Sequence, residues 1–102
     1  MAFYVDLTPG YLDRLADDIR VRVPRADMPV EDTVKLFRIY AVLALARGEE
    51  VTPADVHNAW VAWMLEREPQ HPALVPFDEL GAEIAEQDRP FVNAIRSAAR
   101  DL

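Results

Sequence analysis

VKLFRIYAVLALARG, residues 34–48, decides the fold: from Leu36 to Ala46 it holds ten apolar residues in eleven, interrupted only by Arg38. That run is about half of the ~20 apolar residues that a bilayer-spanning helix needs. It reads as a buried central helix, with Val34, Phe37, Tyr40, Ala41, Ala44 and Leu45 on its core face. Gly48, directly after Arg47, is the natural stop. The helix is expected to start near Pro29 or Val30, where Glu31 and Asp32 stand well against its N-terminal dipole.

Upstream, Leu12, Leu15, Ala16, Ile19 and Val23 recur at helical spacing behind Thr8-Pro9-Gly10, with Thr8 as the expected N-cap and Pro24 as the terminator. Asp13, Arg14, Asp17, Asp18 and Arg20 fall on the opposite, solvated face. Arg25 to Pro29 has the chemistry of a short connection. Downstream, Thr52-Pro53-Ala54-Asp55 combines a cap, a first-turn proline and an acidic third residue, and opens a third helix whose apolar positions are Val56, Trp60, Trp63 and Met64. The stretch PQHPALVPF, residues 69–77, carries three prolines. They deny it regular structure, yet its apolar side chains need burial, so an ordered, packed loop is expected. A short acidic helix within residues 78–87 should turn Leu80 and Ile84 inward. Asp88 then caps a last helix with Pro90 in its first turn and Phe91, Ile95 and Ala98 buried. The fold class is therefore all-α: a single compact domain, 1–102, of four to five helices with an ordered proline-rich loop.

Composition narrows the function. With 102 residues there is room for one domain, and with no cysteine there is neither a disulfide framework nor a Cys-ligated metal, so a cytoplasmic setting is expected. The opening MAFYVDLTPG lacks the basic and apolar regions of a signal peptide. A formal net charge of -7 opposes nucleic-acid polymers. The charge is uneven: residues 51–102 carry -5 of it. Lys35 is the only lysine beside ten arginines, so a small-anion site would be built from forked donors.

No catalytic or metal motif emerges. His57 and His71 are the only histidines and lack the His-Glu-x-x-His spacing of a zinc helix. Ser97, the only serine, sits inside a helix rather than at a strand-to-helix elbow. The glycines are isolated, so no phosphate-cradling loop exists. No enzyme activity and no cofactor are expected. Arg89, Asn93, Arg96 and Arg100 form a polar stripe on the last helix, either a solvated face near Glu83 and Glu86 or an anion site. Trp60 and Trp63, three residues apart, are either core or a stacking platform for a planar ligand.

The order of residues in 52–102 resembles the ryanodine receptor repeat domain. The carrying residues are His57-Asn58-Ala59-Trp60, then His71-Pro72-Ala73-Leu74-Val75-Pro76-Phe77-Asp78-Glu79-Leu80, then Asp88-Arg89. That resemblance implies a non-enzymatic module for a small nucleotide-like ligand in signalling or phage and host defence. Trp60 or Trp63 would stack, His57 and His71 would lie at the site, and Arg89 would hold a phosphate. Between Trp60 and His71 the family's Gly-Trp-x-x-Gly loop is replaced by a crossing without glycine. The N-terminal half is more similar to a group of short actinobacterial and phage proteins. A second reading is thus open: a protein-interaction module that engages a host protein or self-associates as a homodimer, with a face such as Val61 and Trp63 exposed.

Overall fold

The computed structural model describes residues 10–102 and forms them into α1 (Tyr11–Arg22), α2 (Val34–Arg47), α3 (Pro53–Arg67), the five-residue α4 (Ala82–Glu86) and α5 (Arg89–Arg100). Single 3-10 turns lie at Arg25–Asp27, Gly48–Glu50 and Phe77–Glu79. No strand occurs among the described residues, so the all-α expectation holds. Thr8, the expected first cap, lies outside the described residues; Gly10 precedes α1, and its carbonyl accepts the Arg14 N–H at 3.1 Å.

α1 buries Leu15, Ala16 and Ile19, with Val23 closing the stripe after the helix ends. Its polar face is less solvated than expected: Asp13 takes the Arg38 guanidinium of α2 at 2.6 Å. Arg22 reaches α5 through Ser97 at 2.6 Å and Asp101 at 2.8 Å.

α2 begins at Val34, later than its sequence suggests. Asp32 accepts the Val34 N–H at 3.1 Å, and Thr33 takes the N-cap position without a side-chain capping hydrogen bond, so Asp32 marks the start in place of Pro29. The core face is also rotated. Phe37, Tyr40, Ala41 and Ala44 are buried as expected, but Leu36 joins them while Val34 and Leu45 stay about half exposed. A helix this apolar gives no periodic signal to choose its face.

α3 starts where its capping box predicts. The Thr52 hydroxyl accepts the Asp55 N–H at 3.1 Å, and the Asp55 carboxylate accepts the Thr52 N–H at 3.0 Å. Asp55 also takes Arg47 from the end of α2 at 3.0 Å. Arg96 of α5 lays both Nε and Nη2 on the Val51 carbonyl, at 2.9 and 2.7 Å. Of the expected basic stripe, Arg96 is thus a structural clamp and Arg100 pairs with Glu49 at 3.1 Å. In α5, Val92, Ala94, Ile95 and Ala98 are buried, whereas Phe91 is half-buried. In the short helix, Leu80 is half-buried but Ile84 is 42% exposed, so it does not face inward as expected.

Gly48 ends α2 at φ +60° and ψ −136°, a conformation that costs an L-residue about 1–3 kcal/mol. A Cβ there would meet no atom within 4 Å, so the penalty of a substitution is purely conformational. Gly48→Ala is expected to lower unfolding free energy in urea by about 1–3 kcal/mol. Gly81→Ala, equally open but at φ −67°, should change it by less than about 1 kcal/mol and in the stabilising direction. Equal effects of the two would contradict this assignment.

Candidate functional site

Over the N-terminal half of α2 the packing is incomplete and leaves a cleft of about 650 Å³. Its floor contains Leu36 and Tyr40 of α2, His57, Trp60 and Trp63 of α3, and Phe91 of α5. The proline-rich loop adds His71 and Ala73; the connection between α1 and α2 forms one wall with Asp27, Pro29 and Glu31. Glu83, Ile84, Glu86, Gln87 and Asp88 form the other. Leu36, Tyr40, His57 and Trp63 are buried, while Asp27, Glu31, Glu83 and Glu86 are exposed, so an apolar, aromatic floor lies beneath an acidic rim. The volume falls in the range of roughly 300–1,000 Å³ typical of small-molecule pockets.

His57 is 3% exposed. Its Nε2 donates to the Val75 carbonyl at 2.7 Å, which ties the proline-rich loop to α3. A carbonyl only accepts, so Nε2 carries a proton. Nδ1 faces Asp88 Oδ2 at 4.0 Å, beyond direct hydrogen-bond distance. That oxygen is buried without a hydrogen-bond partner. The Asp88 side chain therefore does not cap α5 as the sequence suggests. The residue sits in helical conformation, at φ −80° and ψ −16°, and its carboxylate turns toward His57.

Trp60 is half-buried and holds two histidines: His57 stacks nearly parallel at 5.7 Å, and His71 meets it edge-on at 5.0 Å. His71 is fixed by its own loop, its Nδ1 accepting the Ala73 N–H at 3.0 Å. Trp63 is 6% exposed, and the Arg67 guanidinium lies over its ring at 4.6 Å. Trp63 is accordingly core packing that also lines the cleft, and Trp60 is the more exposed of the two rings. Arg89 departs from expectation. It is 63% exposed, absent from the cleft lining, and paired with Glu86 three residues earlier. The structure thus brings His57, Trp60, Trp63 and His71 together and leaves Arg89 out. Tyr40 and Asp88 are the members that sequence reasoning missed as site residues. Tyr40 read as core, and an Asp before a helix carries the same signal whether it caps or not.

Burial drives the electrostatics. Desolvation pushes the Asp88 carboxyl up to about 6, an effect that His57 reduces. Burial, with a smaller contribution from the Asp88 charge, pushes the Tyr40 phenol far above its usual range. No group of three or more His, Cys, Asp or Glu among the described residues is arranged to hold a metal ion.

These features define a small all-α domain with an aromatic cleft rimmed by carboxylates. The family described as Domain of unknown function (DUF7701) matches residues 10–100, and the chain belongs to that family. No curated protein and no solved structure matches the chain. No helix among the described residues is long and apolar enough to cross a membrane.

Because Asp88 binds its proton more tightly in the fold, with a value of about 6 against an ordinary 3.8, folding takes up a proton between these values. Its contribution therefore falls as pH rises through that window and is a net cost above it. Asp88→Asn is expected to match the parent below pH 4 and to exceed its stability by about 1–3 kcal/mol at pH 7.5, read by urea unfolding across pH. Glu83→Gln, on the exposed rim, should stay within about 0.5 kcal/mol of the parent throughout. A pH-independent difference for Asp88→Asn would refute the assignment.

Proposed function

We propose that the protein is a non-enzymatic small-ligand-binding module and that the cleft over α2 is its binding site. The observation that carries this reading is the convergence of His57, Trp60, Trp63 and His71 on one ligand-sized cleft. Pockets of this kind join an apolar floor to a few placed polar groups. The residues that resemble the ryanodine receptor repeat, His57, Trp60 and His71, are among those that line it. A non-enzymatic role is favoured because the one serine, Ser97, is held by Arg22 on the side chain's only hydroxyl and lies off the cleft. A nucleotide-like ligand would place its base on Trp60. Its phosphate, however, would find no arginine or lysine on the described lining, since Arg89 is turned to Glu86. The lack of cysteine supports a reducing, cytoplasmic setting.

The interaction-module reading has one supporting observation. Val34, Val42 and Leu45 are 57%, 49% and 50% exposed and share one face of α2. The face first expected, Val61 with Trp63, does not serve, because Trp63 is buried beneath Arg67. Light scattering should give a concentration-dependent dimer that Leu45→Glu abolishes if this face self-associates; a strict monomer at high concentration would remove the reading.

The leading reading is tested by thermal-shift screening of nucleosides, mono-, di- and cyclic nucleotides, and a general fragment library. A ligand at 100 times its Kd adds about 2.7 kcal/mol, which for a domain this size raises Tm by roughly 10 °C or more. That shift should be lost in Trp60→Ala and retained in Arg89→Ala. A library without a single binder, or binders indifferent to Trp60→Ala, would overturn it.

A further inference from the structure

We propose that the ligand of the cleft is an organic cation: an ammonium or guanidinium group on an apolar or aromatic body. This deepens the reading of the cleft as a ligand site and rests on it.

Countercharge is the first argument. Elsewhere the chain matches its arginines to carboxylates, as in Arg22 with Asp18 and Asp101, Arg38 with Asp13, and Arg100 with Glu49. Along the cleft only Glu86 is matched in this way, by Arg89, which lies off the lining. Asp27, Glu31 and Glu83 form no ion pair among the described residues, and no lysine or arginine appears on the lining. Asp88 Oδ2 stands 4.0 Å from His57 Nδ1 and makes no hydrogen bond among the described residues.

Hydrogen-bond polarity is the second. Asp88 Oδ2 is buried at the cleft with no hydrogen-bond partner, 4.0 Å from His57 Nδ1, so an acceptor there lacks a donor. A ligand rich in N–H donors complements a site edged by acceptors; a phosphate or carboxylate repeats them. The floor is the third. Trp60, Tyr40 and Phe91 present aromatic surface, and ring faces attract cations, most strongly where water is excluded. Aromatic floor and acidic rim together select positive charge on an apolar body. An anion would meet repulsion from the rim and no cationic side chain on the described lining in return.

A matched series on one indole body tests the charge directly: tryptamine, tryptophol and indole-3-acetate, titrated into the full chain at pH 7.5 by calorimetry and amide NMR. Tryptamine is expected to bind about tenfold or more tighter than tryptophol, with indole-3-acetate weakest. Asp88→Asn should weaken tryptamine about tenfold and leave tryptophol unchanged, and Glu83→Gln, an exposed substitution that spares the core, should weaken tryptamine alone by a few-fold. If tryptophol binds as tightly as tryptamine, or indole-3-acetate binds tightest, the cation assignment fails while the binding site stands. If no member shifts the cleft resonances, the cation assignment fails, and the site reading falls with it only where the fragment library also yields no binder.

Discussion

A helix that is apolar on nearly every side must be wrapped, and the fold is organised by that requirement on α2. Helices α1, α3 and α5 all pack against it. Small residues make the approach close: Ala41 and Ala44 are fully buried midway along it. Aromatic residues fill the wider space toward its start, where Phe37 meets Tyr40 edge-on at 5.2 Å and Tyr40 meets Phe91 of α5 at 5.8 Å. Dispersion and burial are non-directional, so they bring the helices together without fixing their angles. The angles come from polar clamps: Arg38 on Asp13, Arg22 on Ser97, and the Arg96 fork on the Val51 carbonyl.

The cleft follows from where the wrapping fails. Around Leu36 and Tyr40 the neighbours are not long helices but the α1–α2 connection and five-residue α4, which are too short to close over a helix face. What holds the opening in shape is the start of α3. Arg96 fixes the Val51 carbonyl, the Thr52–Asp55 box fixes the next turn, and Arg47 anchors Asp55. From that start His57 and Trp60 are presented at set positions, and the His57–Val75 hydrogen bond brings the proline-rich loop against them. A rigid scaffold with a ligand-sized gap is thus built from one capping signal and one buried imidazole.

The parts of this that were legible in the sequence are the local ones. Thr52 and Asp55 satisfy each other within a single turn, so their spacing alone places α3. Proline at 24 and glycine at 48 end helices for reasons carried by one residue each. The parts that were not legible depend on competition between neighbours in space. Val34 and Leu45 were as apolar as Leu36, and only the docking of α1 and α3 selects which of them is covered. Ile84 belongs to a helix too short to turn a side chain inward against a groove that stays open. Asp88 and Arg89 exchange roles for a related reason. Glu86, one turn earlier, takes the arginine expected at the site, and the aspartate expected to cap the helix is drawn toward His57 instead. His57, Trp60, Trp63 and His71 could be named from sequence order; Tyr40 and the charge of the cleft could not.

That charge is the most informative property of the site. A carboxylate desolvated without a hydrogen-bond partner works against folding at neutral pH, and an amide or apolar residue in its place would not. Groups held in such unfavourable states, at the edge of a cleft, are where a structure departs from its own stability optimum, and such departures concentrate at functional sites. Of the cleft's exposed carboxylates, Asp27, Glu31 and Glu83 form no ion pair among the described residues and Glu86 alone holds an arginine, although the chain has ten. Random placement of surplus acid would scatter it among them. Three unpaired carboxylates above a floor of aromatic rings would give the cleft a preference of sign as well as size, and that preference is what the proposed organic cation would satisfy.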